Sequence, residues 1–432
     1  MELSYVSIEG KSRNYRITLA ILAALSVIGF VCFAISYVQG HQLFGTSNVI
    51  PWGLPIVVAI FLIGLSAGLH ILAFLIYIIG QEKYKQVIKA AVFLAVVLIF
   101  GAMIAIAVDL GRPEKFWRLF MLFYMNNMTS MFALNAIFYS SYFVSAFIYL
   151  IALLTDRKKL SFIMGMVAFG FAMLTHGGTG AIFGFIAARE TWFSSLAPFE
   201  FIFAAFASSM ALLILVLLII YKTTDRKIDW KMIGSLGGLL KFFLIGLIIL
   251  MVINELTHLY PAGRDAIMYM ISGPYSWLFW GFQVFLGMLI PLFLLYYRKT
   301  KNSATGIVLA TVLVVIGIAV KRYYLVIPGA AYPQHYYPGN IEGVYGAIGH
   351  FTFTPVEVGW AIGMFAFLVA IFLLGLRYMK LLPAKEAEES FATVEASSTE
   401  AYMPSEPSAT PEASAPPDIE TSPKADSPPG AE

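Results

Sequence analysis

The sequence predicts an all-α integral membrane protein built from about ten transmembrane helices. Of its 432 residues, 59% are hydrophobic and only 12% are charged. The mean hydropathy of +0.81 lies far above that of soluble globular domains. The apolar residues also gather in runs of about 20, the length that a helix needs to cross the hydrocarbon. The chain is therefore expected in a lipid bilayer, and no nucleic-acid partner is expected.

Ten runs are long and apolar enough to span a bilayer, and they divide a membrane domain of residues 16–383. They are expected near residues 16–39, 54–79, 88–108, 131–153, 161–186, 198–221, 234–256, 275–297, 305–324 and 356–378. The first run is too long for a signal-peptide core and lacks a small-residue cleavage pattern. It is therefore expected to stay in the protein, after a short cytoplasmic segment of residues 1–15.

A weak internal repeat predicts how these helices group. Asp109 and Glu255 end equivalent helices, and their separation also relates His176 to Arg322. Four spans lie between equivalent positions, so the two halves are expected to be parallel copies. The prediction is two four-helix bundles, residues 54–186 and 198–324, with a last span at 356–378.

The distribution of Lys and Arg predicts the orientation. Nineteen of them fall in the loops of one side, and seven on the other side. The seven are Arg112, Lys115, Arg118, Arg189, Arg264, Lys321 and Arg322. Because cytoplasmic loops are enriched in Lys and Arg, both termini are expected in the cytoplasm of a prokaryotic cell whose inner membrane holds the protein.

The segment from residue 384 to 432 differs in composition from the rest. It carries eleven acidic residues, two lysines and eight prolines, with many Ser and Ala. Such a segment buries too little apolar surface to offset its ordering entropy. It is expected to be a disordered cytoplasmic tail, either simply solvated or used for docking.

Cysteine and histidine usage limits the redox groups that the protein itself can hold. Cys32 is the only cysteine, so this sequence lacks the several thiolates that bind an iron–sulfur cluster. His70 and His176 lie well inside spans, at depths of about 24 and 15 Å below the same membrane surface. A haem with two histidine ligands needs both at similar depth, so neither haem nor another metal site is expected.

Polar groups inside the spans are functional candidates, because an unpaired charge in hydrocarbon costs several kcal/mol. The candidates are Ser66, His70, Asp109, Asn135, Tyr139, His176, Thr179, Asn254, Glu255, Lys321, Arg322 and Glu357. Structural alternatives stand beside each. Asp109, Glu255 and Glu357 lie near helix ends where a carboxylate can reach water, and Ser66 and Thr179 can bond back to their own helix.

His176 is the strongest candidate. It stands in LTHGGTGAIFG, where glycines let a neighbouring helix or a flat ligand approach the backbone. An imidazole titrates near neutral pH and can exchange protons with a quinone carbonyl. Close helix packing is the alternative.

Three cations follow the third span in AVDLGRPEKFWRLF, residues 106–119. Gly111 is expected to close the helix in a left-handed cap, and Pro113 prevents its continuation. Phe116, Trp117 and Phe120 would lie at headgroup depth. The cations then face either an acidic partner surface or lipid phosphates. The Tyr-rich loop from about 325 to 355 would complete this face or cap the second bundle.

Five stretches resemble the family of polysulfide reductase membrane subunits and NrfD proteins. They are PWGLPIVVAIFLIGLSAG (51–68), DLGRPEKFWRL (109–119), THGGTGAIFGF (175–185), KRYYLVIPG (321–329) and FTPVEVGWAIG (353–363). The layout of ten spans is similar to the sulfite-reductase-associated and alternative complex III members. The resemblance covers about residues 16 to 380.

The resemblance implies quinone chemistry, with menaquinone the favoured type and no haem or iron–sulfur cluster in this protein. It implies a ferredoxin-like iron–sulfur partner on the outer face, with a cytochrome c and other membrane or catalytic subunits as further companions. The family's quinone pocket lies at the outer side of the first bundle. Carried onto this sequence, the pocket comprises Trp52, Arg112, Asn135, Tyr139 and Thr179, beside His176.

The function predicted is that of a quinone-binding subunit of a respiratory oxidoreductase, which is not catalytic alone. Electrons pass between a quinone and the partner while His176 and Asp109 exchange protons. A second route through Ser66, His70 and Glu255 would carry protons across the membrane. The alternatives are a secondary transporter or ion channel that uses the buried ionisable groups, and a passive anchor that binds no quinone.

Overall fold

The protein is described here by a computed structural model, which covers residues 4–118, 121, 129–224, 229–260, 264–301, 303–333 and 348–384. Within these residues, ten helices are long and apolar enough to cross a membrane, which confirms the predicted fold class. They are α1 (Arg13–Gln39), α2 (Leu54–Tyr77), α3 (Glu82–Asp109), α4 (Met131–Leu154), α5 (Lys158–Gly184), α6 (Ala197–Thr223), α7 (Trp230–His258), α8 (Leu278–Tyr296), α9 (Ala304–Ala331) and α10 (Pro355–Tyr378). The acidic tail from residue 385, residues 334–347 of the Tyr-rich loop and Phe120 lie outside the described residues.

Nine of the ten predicted spans agree with the observed helices. At the helix ends that carry candidate site residues, the predicted and observed boundaries differ by at most a few residues. The exception is α9, whose predicted end near residue 324 is wrong because the helix continues to Ala331. Residues 325–331 are therefore helix and not loop. Lys321 and Arg322 consequently lie inside the helix rather than at its mouth, and Arg322 is only 1% exposed.

Side chains of the segment before α6 explain why α9 continues past Pro328. A proline has no N–H, so helices normally end near it. Here Trp192 Nε1 donates to the carbonyl of Leu325 at 2.8 Å, Thr191 Oγ1 donates to Gly329 O at 2.7 Å, and Arg189 donates to Ala330 O at 2.9 Å. These bonds satisfy carbonyls in the last turns of the helix, and such bonds are invisible in the local sequence.

Two of the helices depart from regular α geometry. α2 is interrupted at His70, whose backbone N–H bonds to Ala67 O, three residues back rather than four. α8 begins as a π-helix over Leu278–Leu289 and becomes an α-helix over Ile290–Tyr296. π-helical turns often occur at functional sites, and this one carries Gln283 into the second bundle.

The helices form two rings that share one interface. α2 to α5 contact one another in order, with α5 returning to α2, and α6 to α9 do the same. α6 packs on α2 and α5, while α9 packs on α2 and α6. α1 and α10 pair with each other, and α10 lies against α3 and α2. The interior between the two rings is thus built mainly from α2, α5, α6 and α9.

The ends of the helices define two faces. Face A holds the ends of α1, α3, α5, α7 and α9 together with the starts of α2, α4, α6, α8 and α10, and face B holds the opposite ends. On face B the strands β1 (Tyr5–Val6) and β2 (Leu382–Pro383) pair antiparallel and join the two ends of the membrane domain. That face A is the outer face and face B the cytoplasmic one stays a prediction from the distribution of Lys and Arg.

Candidate functional site

At face A of the first bundle, two buried carboxylates meet the start of α2. Glu357, from the first turn of α10, accepts the backbone N–H of Leu54 at 2.5 Å. Asp109, the last residue of α3, interacts with the backbone of Gly53 and with Glu357. Free N–H groups and the helix dipole make a helix N-terminus favourable for negative charge. The start of α2 therefore holds two acids together out of water.

His41 completes this group. It lies in the short 3-10 helix His41–Phe44 after α1, and its Nε2 is 3.8 Å from Asp109 Oδ1. Burial lowers the pKa of His41, so the ring is neutral near pH 7. His41 Nε2, Asp109 Oδ1 and Glu357 Oε2 are buried and have no hydrogen-bond partner among the described residues. Three acid–base atoms with unused bonding capacity thus lie at one place.

A groove of about 640 Å³ leads to this group from face A. The end of α1 forms one wall, with Tyr37 and His41, and the turn after α3 forms the other. Gly111 adopts a φ of +66° there, which is the predicted left-handed cap of α3. Arg112, Lys115 and Arg118 line the groove, and Arg118 lies over the exposed ring of Trp117. The three cations therefore border an opening in the first bundle.

Trp52 lies beside this site but in a different environment. Its ring stacks on Trp192, with centroids 5.5 Å apart and planes 12° from parallel, and meets Phe183 edge-on. Phe183 in turn stacks on Phe201 of α6. Trp52 belongs to an aromatic group between the two rings of helices, within one residue of Gly53.

His176 lies deeper. Its ring is fully buried against Gly64 of α2, where a Cβ would come within 3.0 Å of His176 Cε1. Arg322 of α9 donates from Nη2 to His176 Nε2 at 3.2 Å, and the ring of Phe201 lies 5.4 Å away. Gly64 follows Leu54 by ten residues, which puts His176 about 15 Å below the Asp109 group. The structure therefore does not bring the two predicted catalytic residues together.

Asn135, Tyr139 and Thr179 form the contact between α4 and α5. Tyr139 and Thr179 share a hydrogen bond of 2.9 Å, while Thr179 also donates to Thr175 O of its own helix. Asn135 donates to Met131 O at 2.7 Å, and its Oδ1 has no partner among the described residues. The close approach is possible because Gly178 faces the Asn135 amide. These residues lie where α4 packs on α5 in the first bundle.

Ser66 and His70 are linked through a residue that the sequence analysis missed. Tyr142 of α4 bonds Ser66 Oγ at 2.8 Å and His70 Nδ1 at 2.8 Å, and Ser66 also donates to Ala95 O. Towards face B, the Tyr149 hydroxyl lies 3.4 Å from that of Tyr77. The period of residues 135, 139, 142, 146 and 149 on one face of α4 is the signal that would have revealed Tyr142.

Glu255 lies in the second bundle, apart from Ser66 and His70. Lys321 forms an ion pair with Glu200 of α6. The side chain of Lys321 is 12% exposed and that of Glu200 is 11% exposed. Glu255 interacts with both of them and with His258. Glu200 was missed because a single acid in the first turn of a helix is ordinary; only its burial makes it unusual. The described contacts thus divide the predicted proton route between two bundles.

Comparison with known proteins agrees with this architecture. The profile of the family described as polysulphide reductase, NrfD, matches residues 42–334. The Hdr-like menaquinol oxidoreductase integral membrane subunit of Archaeoglobus fulgidus is 33% identical over 396 residues, covering 90% of this chain and 99% of that protein.

Two further relatives are similar over most of their length. One is a subunit of the selenate reductase of Mesobacillus selenatarsenatis, which is 26% identical, covering 82% of this chain and 91% of that protein. The other belongs to the polysulfide reductase of Wolinella succinogenes and is 24% identical, covering 66% of this chain and 96% of that protein.

The buried pair of Lys321 and Glu200 provides a test of the second bundle. Glu200→Gln leaves a buried ammonium without its partner and is expected to destabilise the protein by about 3 kcal/mol or more. Adding Lys321→Met should recover part of that loss, because the unpaired charge is removed. Thermal unfolding of the purified protein measures both variants. Glu82→Gln is the control, since its pair with Lys85 is solvent-exposed and worth less than about 1 kcal/mol. Equal effects of Glu200→Gln and Glu82→Gln would contradict the burial of this pair.

Proposed function

The chain belongs to the polysulphide reductase NrfD family, and on that premise we propose that it is the quinone-binding membrane subunit of a multi-subunit oxidoreductase. Menaquinone is the favoured quinone, because two relatives are named as membrane subunits of a menaquinol oxidoreductase and of a menaquinone reductase. Electrons would pass between the quinone and an iron–sulfur partner docked on face A.

One observation carries the location of the quinone site. The groove of about 640 Å³ ends at His41, next to Asp109 and Glu357, whose buried atoms lack partners among the described residues. Its volume lies within the range of pockets that hold small organic ligands, about 300–1,000 Å³. A quinone ring is flat and carries two carbonyl oxygens. It suits a groove in which Val38, Leu110 and the Tyr37 ring offer apolar surface, the cations offer hydrogen-bond donors and His41 lies at the inner end.

Conversion between a quinol and a quinone transfers two electrons and two protons at the ring oxygens. His41, when neutral, can take a proton on one ring nitrogen, and the Asp109 carboxyl beside it can hold another. The dipole of α2 stabilises the ionised carboxylates between transfers. Arg112 and Lys115, at the mouth of the groove, balance their charge. Asp109 thus keeps the role that the sequence suggested, with His41 as its partner in place of His176.

His176 is proposed to act from a position deeper in the membrane than the quinone ring. At about 15 Å from the Asp109 group it cannot contact the same head-group oxygen, since a helix advances only 1.5 Å per residue. Asn135, Tyr139 and Thr179 lie on the neighbouring seam of α4 and α5 and would line the path of the quinone towards the bundle interior. Trp52 stacks on Trp192 between the two rings of helices and does not line the groove, so its proposed role is to hold the start of α2 in place.

Asp109 provides the first test of the proposed quinone site. Asp109→Asn is expected to lower quinol-linked turnover of the intact complex by at least about tenfold, because general acid–base groups contribute about 10²–10⁴ to rates. Glu82→Gln is the control, since that glutamate lies on face B with a side chain that is 71% exposed and its partner Lys85 is exposed as well. Turnover is measured with a soluble quinol and the partner's electron acceptor. Asp109→Asn at the wild-type rate would refute the site.

Docking of the partner provides a second test. Arg112→Glu with Lys115→Glu reverses charge on face A and is expected to release an acidic partner at low ionic strength, where the new repulsion is screened least. The stoichiometry of companions on the affinity-purified protein measures this loss. Arg298→Glu with Lys299→Glu makes the same charge change on face B and should leave the complex intact. Equal retention of the companions by the two double variants would refute docking on face A. A wild-type protein that purifies with no redox companion would favour the alternative function of a secondary transporter.

Proton translocation forms a third and separate part of the proposal. Ser66, Tyr142 and His70 make a continuous buried series of hydrogen bonds, and Tyr149 and Tyr77 extend its direction towards face B. Ser66→Ala and Tyr142→Phe are expected to lower the number of protons displaced per quinol in proteoliposomes, measured with a pH-sensitive dye. Ser140→Ala is the matched control, since the Ser140 hydroxyl donates to Ala136 O of its own helix. Unchanged proton displacement in both variants would remove this route.

A further inference from the structure

A cavity of about 80 Å³ lies at the face A end of the second bundle, away from the groove. α6 contributes Glu200 and Phe201, α7 contributes Glu255, α8 contributes Gln283, and α9 contributes Lys321, Arg322 and Tyr324. The turn of residues 190–194 covers it, held by Ser194, which donates to Asn254. The walls therefore come from all four helices of the ring.

Several polar atoms that face this cavity have unused bonding capacity. Gln283 Oε1, Tyr324 Oη, Glu255 Oε2 and two nitrogens of Arg322, Nε and Nη1, are buried without a hydrogen-bond partner among the described residues. Gln283 is 2% exposed and Arg322 1% exposed, so bulk water does not satisfy them. Leaving a buried donor or acceptor unpaired costs about 1–3 kcal/mol each. Four side chains around one cavity thus each have a polar atom without a hydrogen-bond partner, which indicates that they share a partner inside the cavity.

The size of the cavity identifies that partner. A buried water needs about 10–15 Å³ of such space and two to four polar neighbours, so several waters fit. A pocket for a drug-sized organic molecule starts at about 300 Å³, which excludes a second quinone ring. Water is the species that both donates to Glu255 and Gln283 and accepts from Arg322.

The charges around the cavity single out Glu255 as its exchangeable group. Lys321 is paired with Glu200, and Arg322 remains protonated under all ordinary conditions. His258 uses both ring nitrogens, on Asn254 O and Phe193 O at 2.7 Å each. Glu190 and Tyr324 are the remaining titratable groups on the described walls. Of the carboxyl groups named here, Glu255 is the one with a buried oxygen that lacks a described partner, so it is the acid that can exchange a proton with the cavity without breaking a described pair.

Arg322 connects this cavity with the first bundle. Its guanidinium lies 3.9 Å from the centroid of the Phe201 ring and donates to His176 Nε2. Since Arg can only donate, Nε2 must carry a lone pair, and the proton of a neutral His176 lies on Nδ1. The same guanidinium lines the cavity with its unpartnered nitrogens. Any change of charge in the cavity therefore acts on His176 through this guanidinium.

We propose that the cavity enclosed by α6 to α9 is a water-filled acid–base chamber, in which Glu255 exchanges protons with water and Arg322 transmits the charge state to His176. Glu255 releases its proton to a chamber water and regains one from it, with no other bond made or broken. The coupling to His176 rests on the proposed quinone function, whereas the hydration of the chamber does not.

Hydration can be tested on the unmodified complex without any quinone. Radiolytic hydroxyl radicals form from waters next to a side chain and oxidise methionine sulfur, which mass spectrometry quantifies. Met270 lines the chamber and is 5% exposed; Met364 of α10 is 6% exposed and lies outside it. Met270 is expected to oxidise at least about tenfold faster, because only it has internal water as a neighbour. Equal rates would overturn the proposal.

Proton exchange is tested by infrared difference spectroscopy of the complex on addition of quinol. The wild type is expected to show a deuterium-sensitive carboxylic C=O band that is absent in Glu255→Gln. The control Glu114→Gln, on the exposed face A turn, should keep this band. Arg322→Gln should shift the band, because it removes the charge between chamber and His176. A quinol-induced spectrum whose carboxylic bands all survive in Glu255→Gln overturns the exchange role, since only the band of Asp109 is expected to remain. A wild type without any quinol-induced signal would instead refute the quinone function and leave the methionine result standing.

Discussion

An unpaired polar group is costly in hydrocarbon, and this cost dictates where the ten helices place their ionisable side chains. Most of the charged groups that the structure buries lie near face A, where a helix start offers N–H groups or a neighbouring helix offers an opposite charge. Asp109 and Glu357 use the start of α2, and Lys321 uses Glu200. Arg322 and His176 are the exception, since they meet at greater depth. There Arg322 Nη2 donates to His176 Nε2, while two further nitrogens of Arg322 lack a partner among the described residues.

The two rings of helices place their ionisable groups in different surroundings. At the first ring, His41 lines an open groove between α1 and the turn after α3, next to the two acids, so a ligand can reach that histidine. In the second ring the acids and cations balance one another around a cavity under the 190–194 turn. The first arrangement suits exchange with a mobile quinone, and the second suits exchange with water. Arg322 and the aromatic rings around Phe201 join the two.

The sequence singled out individual polar residues, but it did not show which of them are in contact. His176, Asp109, Glu255 and Arg322 were all singled out because burial in a span is readable from hydropathy. His41 escaped because it follows a span rather than lying in one, and Glu200 because an acid is ordinary in a first turn. Tyr142 escaped because an aromatic residue in a span suggests packing. In each case the proposed role comes from a neighbour distant in sequence, such as Asp109 for His41.

By itself the sequence determined the membrane class, the number of spans, most of their ends and the family, since each follows from local composition or from motifs read in order. Tertiary structure decided the rest. It extended α9 past Pro328 through side chains of the 189–192 segment, placed Arg322 on His176, and separated His176 from Asp109 by helix depth. The physical reason is that a hydrogen bond or an ion pair depends on distances of a few ångström between residues that are more than a hundred positions apart, and hydropathy along one sequence holds no such distance.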